Sequence, residues 1–221
     1  MPKLFVTKIY RWTRSKFTLS FFVLICCLCL LALFGWLSQT VLEQELFGFD
    51  STILWWLHQH SNSTIDQLML NITNLGNPPL IVTLVVASLS LLLWYRRFWA
   101  AQILLLTCLG AVILNQGLKL VFAKPRPQLW TPLIIEHTYS FPSGHALGSA
   151  VLYGFLAVLL ASQYPRYCAV IYAIAISIVG SIGLSRLLLG VHYPTDLIAG
   201  YAVGLVWLIT CIKILQMGLK R

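Results

Sequence analysis

Six long runs of hydrocarbon side chains, roughly residues 17–37, 80–95, 98–118, 145–164, 167–184 and 197–217, decide what this sequence can become. In a bilayer every backbone N–H and C=O must be satisfied within the chain, so apolar runs of about 20 residues cross as α-helices. The expected fold is therefore all-α: an integral membrane six-helix bundle, a single domain over residues 1–221. With 59% hydrophobic and 10% charged residues and a mean hydropathy of +0.84, the composition excludes an ordinary soluble domain. The run at 80–95 is short and needs either Arg96 and Arg97 to snorkel or Pro79 to lie inside the membrane. The first run is longer than a signal-peptide core of about 7–15 residues and lacks an Ala-x-Ala-like exit, so it reads as a retained anchor.

The six cysteines (Cys26, Cys27, Cys29, Cys108, Cys168 and Cys211) all fall inside predicted spans without CxxC spacing. They read as small buried apolar residues, not as metal or redox groups. The net charge of +9 is not a nucleic-acid signal, because of how it is distributed. Six spans put both termini on one side, with Lys3, Lys8, Arg11, Arg14, Lys16, Arg96, Arg97, Arg166, Lys213, Lys220 and Arg221. The other side holds only Lys119, Lys124, Arg126 and Arg186 among the cations. It also holds all six acids and all five histidines. The positive-inside rule places the basic side, including the tail at 1–16, in the cytoplasm. Contact with anionic lipid accounts for the basic ends, and no nucleic-acid partner is implied.

Residues 38–79 form the longest connection. Phe49, Ile53, Trp56 and Leu57 fall at helical spacing, as do Ile65, Leu68, Met69, Ile72 and Leu75. Both stretches predict short interfacial helices in the first outer loop, with Trp55 and Trp56 at headgroup level. They could cover the mouth of a site or simply pack on the bundle. Asn62 and Asn71 begin glycosylation-type tripeptides, a pattern short enough to arise by chance. Gly200 and Gly204 make a GxxxG pair suited to close helix packing.

The ionisable residues on the outer side concentrate in three segments spanning 119–196. Ionisable side chains at bilayer depth are costly and are kept for function. In Pro142-Ser143-Gly144-His145, Ser143 can cap the following helix, and Gly144 lets backbone approach a ligand. Free N–H groups at that helix start favour an anion, and His145 stands beside it, placed to give a proton to a leaving oxygen. In the last segment His192 and Asp196 are four apart. Asp196 can accept from one ring nitrogen and leave the other free to attack phosphorus. Lys119, Arg126 and Arg186 can neutralise a phosphoryl group, the guanidiniums in bidentate fashion. Lys124 reads as a solvated loop charge.

Lys119-x6-Arg126-Pro127, Pro142-Ser143-Gly144-His145 and Ser185-Arg186-x5-His192-x3-Asp196 together resemble the type 2 phosphatidic acid phosphatase family, which shares its site with vanadium haloperoxidases. The resemblance covers about the last two thirds of the chain. It implies His192 as nucleophile forming a phosphohistidine, Asp196 as its orienter, and His145 as acid and then base. It also implies phosphate binding by Lys119, Arg126, Arg186, Ser143 and the Gly144 amide, with no metal or other cofactor. The expected substrates are lipid phosphates or diphosphates such as phosphatidate, phosphatidylglycerol phosphate or a polyprenyl diphosphate, met among membrane lipids without an obligate protein partner. Two other readings compete. Hydrophobic bulk argues against a vanadate-dependent oxidase. The His–Asp pair argues against a non-catalytic anion-binding protein or transporter, which would need cations but no nucleophile.

Overall fold

The computed structural model describes residues 17–43 and 47–218, so the basic tail 1–16, Glu45 and the terminal Lys220 and Arg221 lie outside the described residues. The described chain is helical, with no strand among the described residues. Its helices are α1 Phe17–Leu42, α2 Gly48–Gln59, α3 Ser63–Thr73, α4 Pro78–Trp94, α5 Phe98–Phe122, α6 Gly144–Gln163, α7 Cys168–Leu188 and α8 Pro194–Gly218. Single 3-10 turns at Asn74–Gly76 and Pro165–Tyr167 precede α4 and α7.

Helices α1, α5, α6, α7 and α8 are each long and apolar enough to cross a bilayer. The expected second span is different. Its 17 residues rise about 25 Å, short of a hydrocarbon core of about 30 Å. Ser63–Gly76 meets Pro78–Trp94 at a 41° bend, and only the pair together is long and apolar enough to count as a further span. The break lies at Asn77, which is extended (φ −74°, ψ 146°) because the residue before a proline is driven out of helical backbone. The first outer loop is thus narrower than 38–79: α1 runs to Leu42, and the two short helices occupy the expected segments.

Helix α6 is the centre of the bundle, packed against α5, α7 and α8, while α1 lies along α8 and α4 along α5. Away from the motifs, Ile103, Leu104, Leu152, Phe155, Leu208, Cys211 and Leu215 form one buried cluster. Leu120, Ile113 and Ile176 face outwards, as lipid-facing positions do. Lipid tails are as apolar as these side chains, so close packing must supply the cohesion. The GxxxG pair supplies it: a Cβ at Gly200 would come within 2.7 Å of the Ser143 carbonyl oxygen, and one at Gly204 within 3.0 Å of the Leu147 carbonyl oxygen. That approach sets the start of α8 against the start of α6. All three motifs therefore gather at one end of the bundle, where α5 and α7 end and α6 and α8 begin. Arg96, Arg97 and Arg166 lie in the turns at the other end.

Helices α2 and α3 do more than cover this end. The apolar side of α3 packs on α7, with Met69 against Leu189 and Val191, while α2 buries Asp50 and Leu54. Trp55 and Trp56 remain exposed, as expected of an interfacial helix. Asn62 caps α3 by accepting from the backbone N–H groups of Thr64 and Ile65, each at 3.0 Å.

Candidate active site

Helix α8 begins with one half of a capping box. Pro194 occupies its first position, and the Asp196 carboxylate reaches back to accept from the Tyr193 N–H at 2.9 Å. This holds Asp196 beneath the loop that carries His192. Gly190 turns that loop with a left-handed backbone (φ +73°), a conformation most residues resist. His192 therefore precedes the helix, and its proximity to Asp196 comes from the cap and not from a shared helical face.

Between them sits Ser140, fully buried and absent from the sequence-level candidates. Its hydroxyl donates to Asp196 Oδ2 at 2.5 Å and lies 3.2 Å from His192 Nδ1, while the direct Nδ1–Oδ2 separation is 3.4 Å. On the other ring edge, Arg126 Nη1 lies 3.2 Å from His192 Nε2. A guanidinium only donates, so Nε2 carries the lone pair and Nδ1 the proton. Burial pushes the His192 imidazole down to about 4, against the opposing pull of Asp196, so the ring is neutral at physiological pH.

The cations converge on the same place. Lys119, one turn from the end of α5, donates to Thr138 Oγ1 at 2.8 Å. Arg126 donates to the same hydroxyl at 3.2 Å, to the Thr138 carbonyl at 2.7 Å and to the Val191 carbonyl at 2.7 Å. Arg186, fully buried near the end of α7, donates to Thr73 Oγ1 at 2.8 Å and to Glu136. Its Nε, also buried, has no hydrogen-bond partner among the described residues. Glu136 also stands 3.7 Å from Arg126. Burial alone would raise the Glu136 carboxyl, but Arg186, then Arg126, outweigh it and hold it below the ordinary carboxylate value. Burial lowers the Arg126 guanidinium, with Glu136 and Asp196 offsetting part of this, and it stays cationic at neutral pH.

At the start of α6, Ser143 caps the helix through Ala146 N and donates its own N–H to the Asp196 carbonyl at 3.0 Å. The space beside Gly144 is taken by Asn115, whose Oδ1 would lie 2.9 Å from a Cβ there. Asn115 in turn donates to the Pro142 carbonyl at 3.2 Å. His145 Nε2 meets Asn77 Oδ1 at 2.8 Å, and the Asn77 amide is itself oriented by donating to Asn74 Oδ1 at 2.8 Å. The ring's other nitrogen is left for proton exchange. Gly76 makes room for this ring, since a Cβ there would meet His145 Cδ2 at 2.7 Å and Ile182, one turn from Arg186, at 2.9 Å.

One expectation fails. Lys124 is not a solvated loop charge: it is 6% exposed and bonds Asp196 Oδ1 at 2.8 Å and Thr195 Oγ1 at 3.2 Å, with Asp50 Oδ2 at 4.0 Å. Asp50 accepts from the N–H and hydroxyl of Thr195 at 3.0 and 2.6 Å, and burial raises its carboxyl above the ordinary value. A lysine between an alanine and a proline in a loop looks solvent-facing by composition, and only the fold puts two carboxylates beside it. Among the remaining supporting residues, Asn115 had a visible signal. It is a polar residue inside a span, four before Lys119 and so on the same face. Ser140, Thr138, Thr73 and Asn77 had none.

The arrangement gathers a neutral imidazole oriented by a carboxylate, a second imidazole and three cations at one end of the bundle. Among the described residues, no three His, Cys, Asp or Glu side chains are grouped as metal ligands. Comparison with known proteins agrees with the motif reading. The PAP2 superfamily model matches residues 99–219. Phosphatidylglycerophosphatase B of Bacillus subtilis is 33% identical over 144 residues, 64% of this chain and 70% of that one. An undecaprenyl-diphosphatase of Sulfolobus acidocaldarius is 30% identical over 168 residues, 73% of this chain and 76% of that one. The crystal structure of a transmembrane PAP2-type phosphatidylglycerolphosphate phosphatase from Bacillus subtilis superposes with a TM-score of 0.78 at 27% identity, covering 85% of this chain and 94% of that one. With the motif residues gathered at one end of a multi-pass helical bundle and the family match running through all of them, this chain belongs to the PAP2 superfamily.

Proposed function

We propose that the chain hydrolyses a lipid phosphomonoester or diphosphate through a phosphohistidine. The carrying observation is the neutral His192, backed by Asp196 and Ser140, with Arg126 on its free nitrogen. When substrate enters, Arg126 exchanges the Nε2 lone pair for a phosphoryl oxygen, and Lys119 and Arg186 neutralise the others. Nε2 forms a bond to phosphorus as the phosphorus–oxygen bond to the lipid breaks, and the leaving oxygen takes the Nδ1 proton of His145, which enters this step as the imidazolium. Water then attacks phosphorus while His145 takes a proton from it. The phosphorus–nitrogen bond breaks, its electron pair returns to Nε2, and inorganic phosphate departs. Ser143 holds the turn at the start of α6 against this site.

The similarity to phosphatidylglycerophosphatase B favours phosphatidylglycerol phosphate as substrate, with a polyprenyl diphosphate second. Purified protein in excess EDTA is expected to release phosphate from phosphatidylglycerol phosphate faster than from phosphatidate or a long polyprenyl diphosphate. Strict dependence on added magnesium would contradict the metal-free chemistry, and no release from any of the three would remove the phosphatase reading.

We also infer that the site faces away from the cytoplasm. Arg96, Arg97 and Arg166 occupy the opposite end of the bundle, and short basic loops stay cytoplasmic. Membrane-impermeant cysteine labels are expected to reach single cysteines introduced at 128–140 from outside intact cells. Labelling only from the cytoplasmic face would invert the topology.

A further inference from the structure

The loop between α5 and α6, residues 123–143, carries one carboxylate into the phosphate space. Glu136 accepts from Arg186 and lies 3.7 Å from Arg126. Every other hydrogen-bond acceptor for Lys119, Arg126 and Arg186 is a hydroxyl, a backbone carbonyl or the His192 ring. Among the described residues, no other carboxylate comes within 4.0 Å of these three cations. Buried like charges gathered together are unfavourable, and Glu136 relieves that repulsion.

The pairing is asymmetric. The Arg186 and Arg126 side chains are 1% and 15% exposed, Arg186 anchored on Thr73 and Arg126 on Thr138, Val191 and His192, whereas Glu136 is 27% exposed and arrives from an irregular loop. Cavities of about 570 and 540 Å³ lie along this loop, and Arg126 and Glu136 line both. The carboxylate therefore has room to leave on either side, while Arg126 is held by its bonds to Thr138 and Val191 and Arg186 by burial and its bond to Thr73. Two carboxylate oxygens spaced across two guanidiniums present the same acceptor pattern as two oxygens of a phosphoryl group.

We propose that Glu136 is a displaceable internal anion: it fills the phosphate cradle between turnovers, yields to the substrate phosphoryl group, and returns as inorganic phosphate leaves. This rests on the phosphatase reading and deepens it, making Glu136 a residue that sets affinity for tetrahedral anions. A site whose competent state is only partly populated binds more weakly by that fraction. Removing the competitor therefore tightens anion binding.

Tungstate, a tetrahedral oxyanion, is the probe. In Glu136→Gln the tungstate inhibition constant is expected to fall about tenfold, with KM falling in parallel and kcat no higher than in the wild type. A constant that is unchanged or larger overturns the proposal, because a merely structural or substrate-binding Glu136 would weaken the site when altered. A second measurement needs no variant. Labelling of Glu136 in the wild-type protein by a water-soluble carbodiimide and an amine, read by peptide mass spectrometry, is expected to rise at least about threefold with saturating tungstate. Unchanged or reduced labelling overturns the proposal even if Glu136→Gln does not fold. Wild-type protein that turns over lipid phosphate but fails these tests loses only the role of Glu136. Wild-type protein that neither turns over nor binds tungstate loses the phosphatase reading as well.

Discussion

His192→Ala is expected to lower turnover by roughly 10⁴-fold or more, the scale on which loss of a catalytic nucleophile operates. No neighbouring group can substitute. His145 is tied by its Nε2 to Asn77, and the other nearby side chains are cations, hydroxyls and carboxylates already engaged. Burial keeps His192 neutral well below pH 7, so the lone pair on Nε2 is available without a preceding deprotonation. The measurement is phosphate release by purified protein in detergent. Brief incubation with labelled substrate and trapping of an acid-labile, base-stable phosphoprotein provide the chemical signature. Wild-type protein should show that species and His192→Ala should not. Near-normal turnover in the variant would refute the nucleophile assignment.

The second large effect concerns stability. Lys124→Met is expected to destabilise the protein by about 3–5 kcal/mol, since removing one partner of a buried ion pair leaves charge uncompensated. Lys124 lies against Asp196 at 2.8 Å and Asp50 at 4.0 Å, both carboxylates fully buried, with its ammonium 4.5 Å from the centre of the Tyr193 ring. Methionine fills a similar volume but donates nothing. The apparent midpoint of thermal unfolding in detergent should fall by roughly 10 °C. Adding Asp50→Asn should restore part of the loss, because one of the two orphaned charges is then gone. A shift of less than about 2 °C in Lys124→Met would mean the lysine is solvated after all.

These two residues mark what sequence reasoning can single out and where it stops. His192 was legible because its chemistry lies in spacing. The three motif segments keep fixed distances along the chain, and each type of side chain in them has a defined use around phosphorus. Lys124 was not, because a lysine between an alanine and a proline looks the same in a loop whether water or two carboxylates surround it. Asp50 is 145 positions from Thr195, Asn77 is 68 from His145, and Thr73 is 113 from Arg186. No local pattern links such pairs. The break before α4 was half legible. The prolines announced it, but whether the short helix stood alone or met α3 at an angle depended on how α3 settles on α7.

The apolar runs by themselves committed the chain to membrane helices, because unpaired backbone cannot be left in hydrocarbon. The motif residues by themselves carried the resemblance to the family whose model matches residues 99–219. Tertiary structure alone decided how those residues are held: Ser140 between His192 and Asp196, Lys124 under Asp196, Asn77 behind His145 and Glu136 across the two arginines. The physical reason is that a polar side chain's role depends on what it meets after desolvation, and the fold brings those partners from the α5–α6 loop and from the break before α4, at positions that no motif specifies.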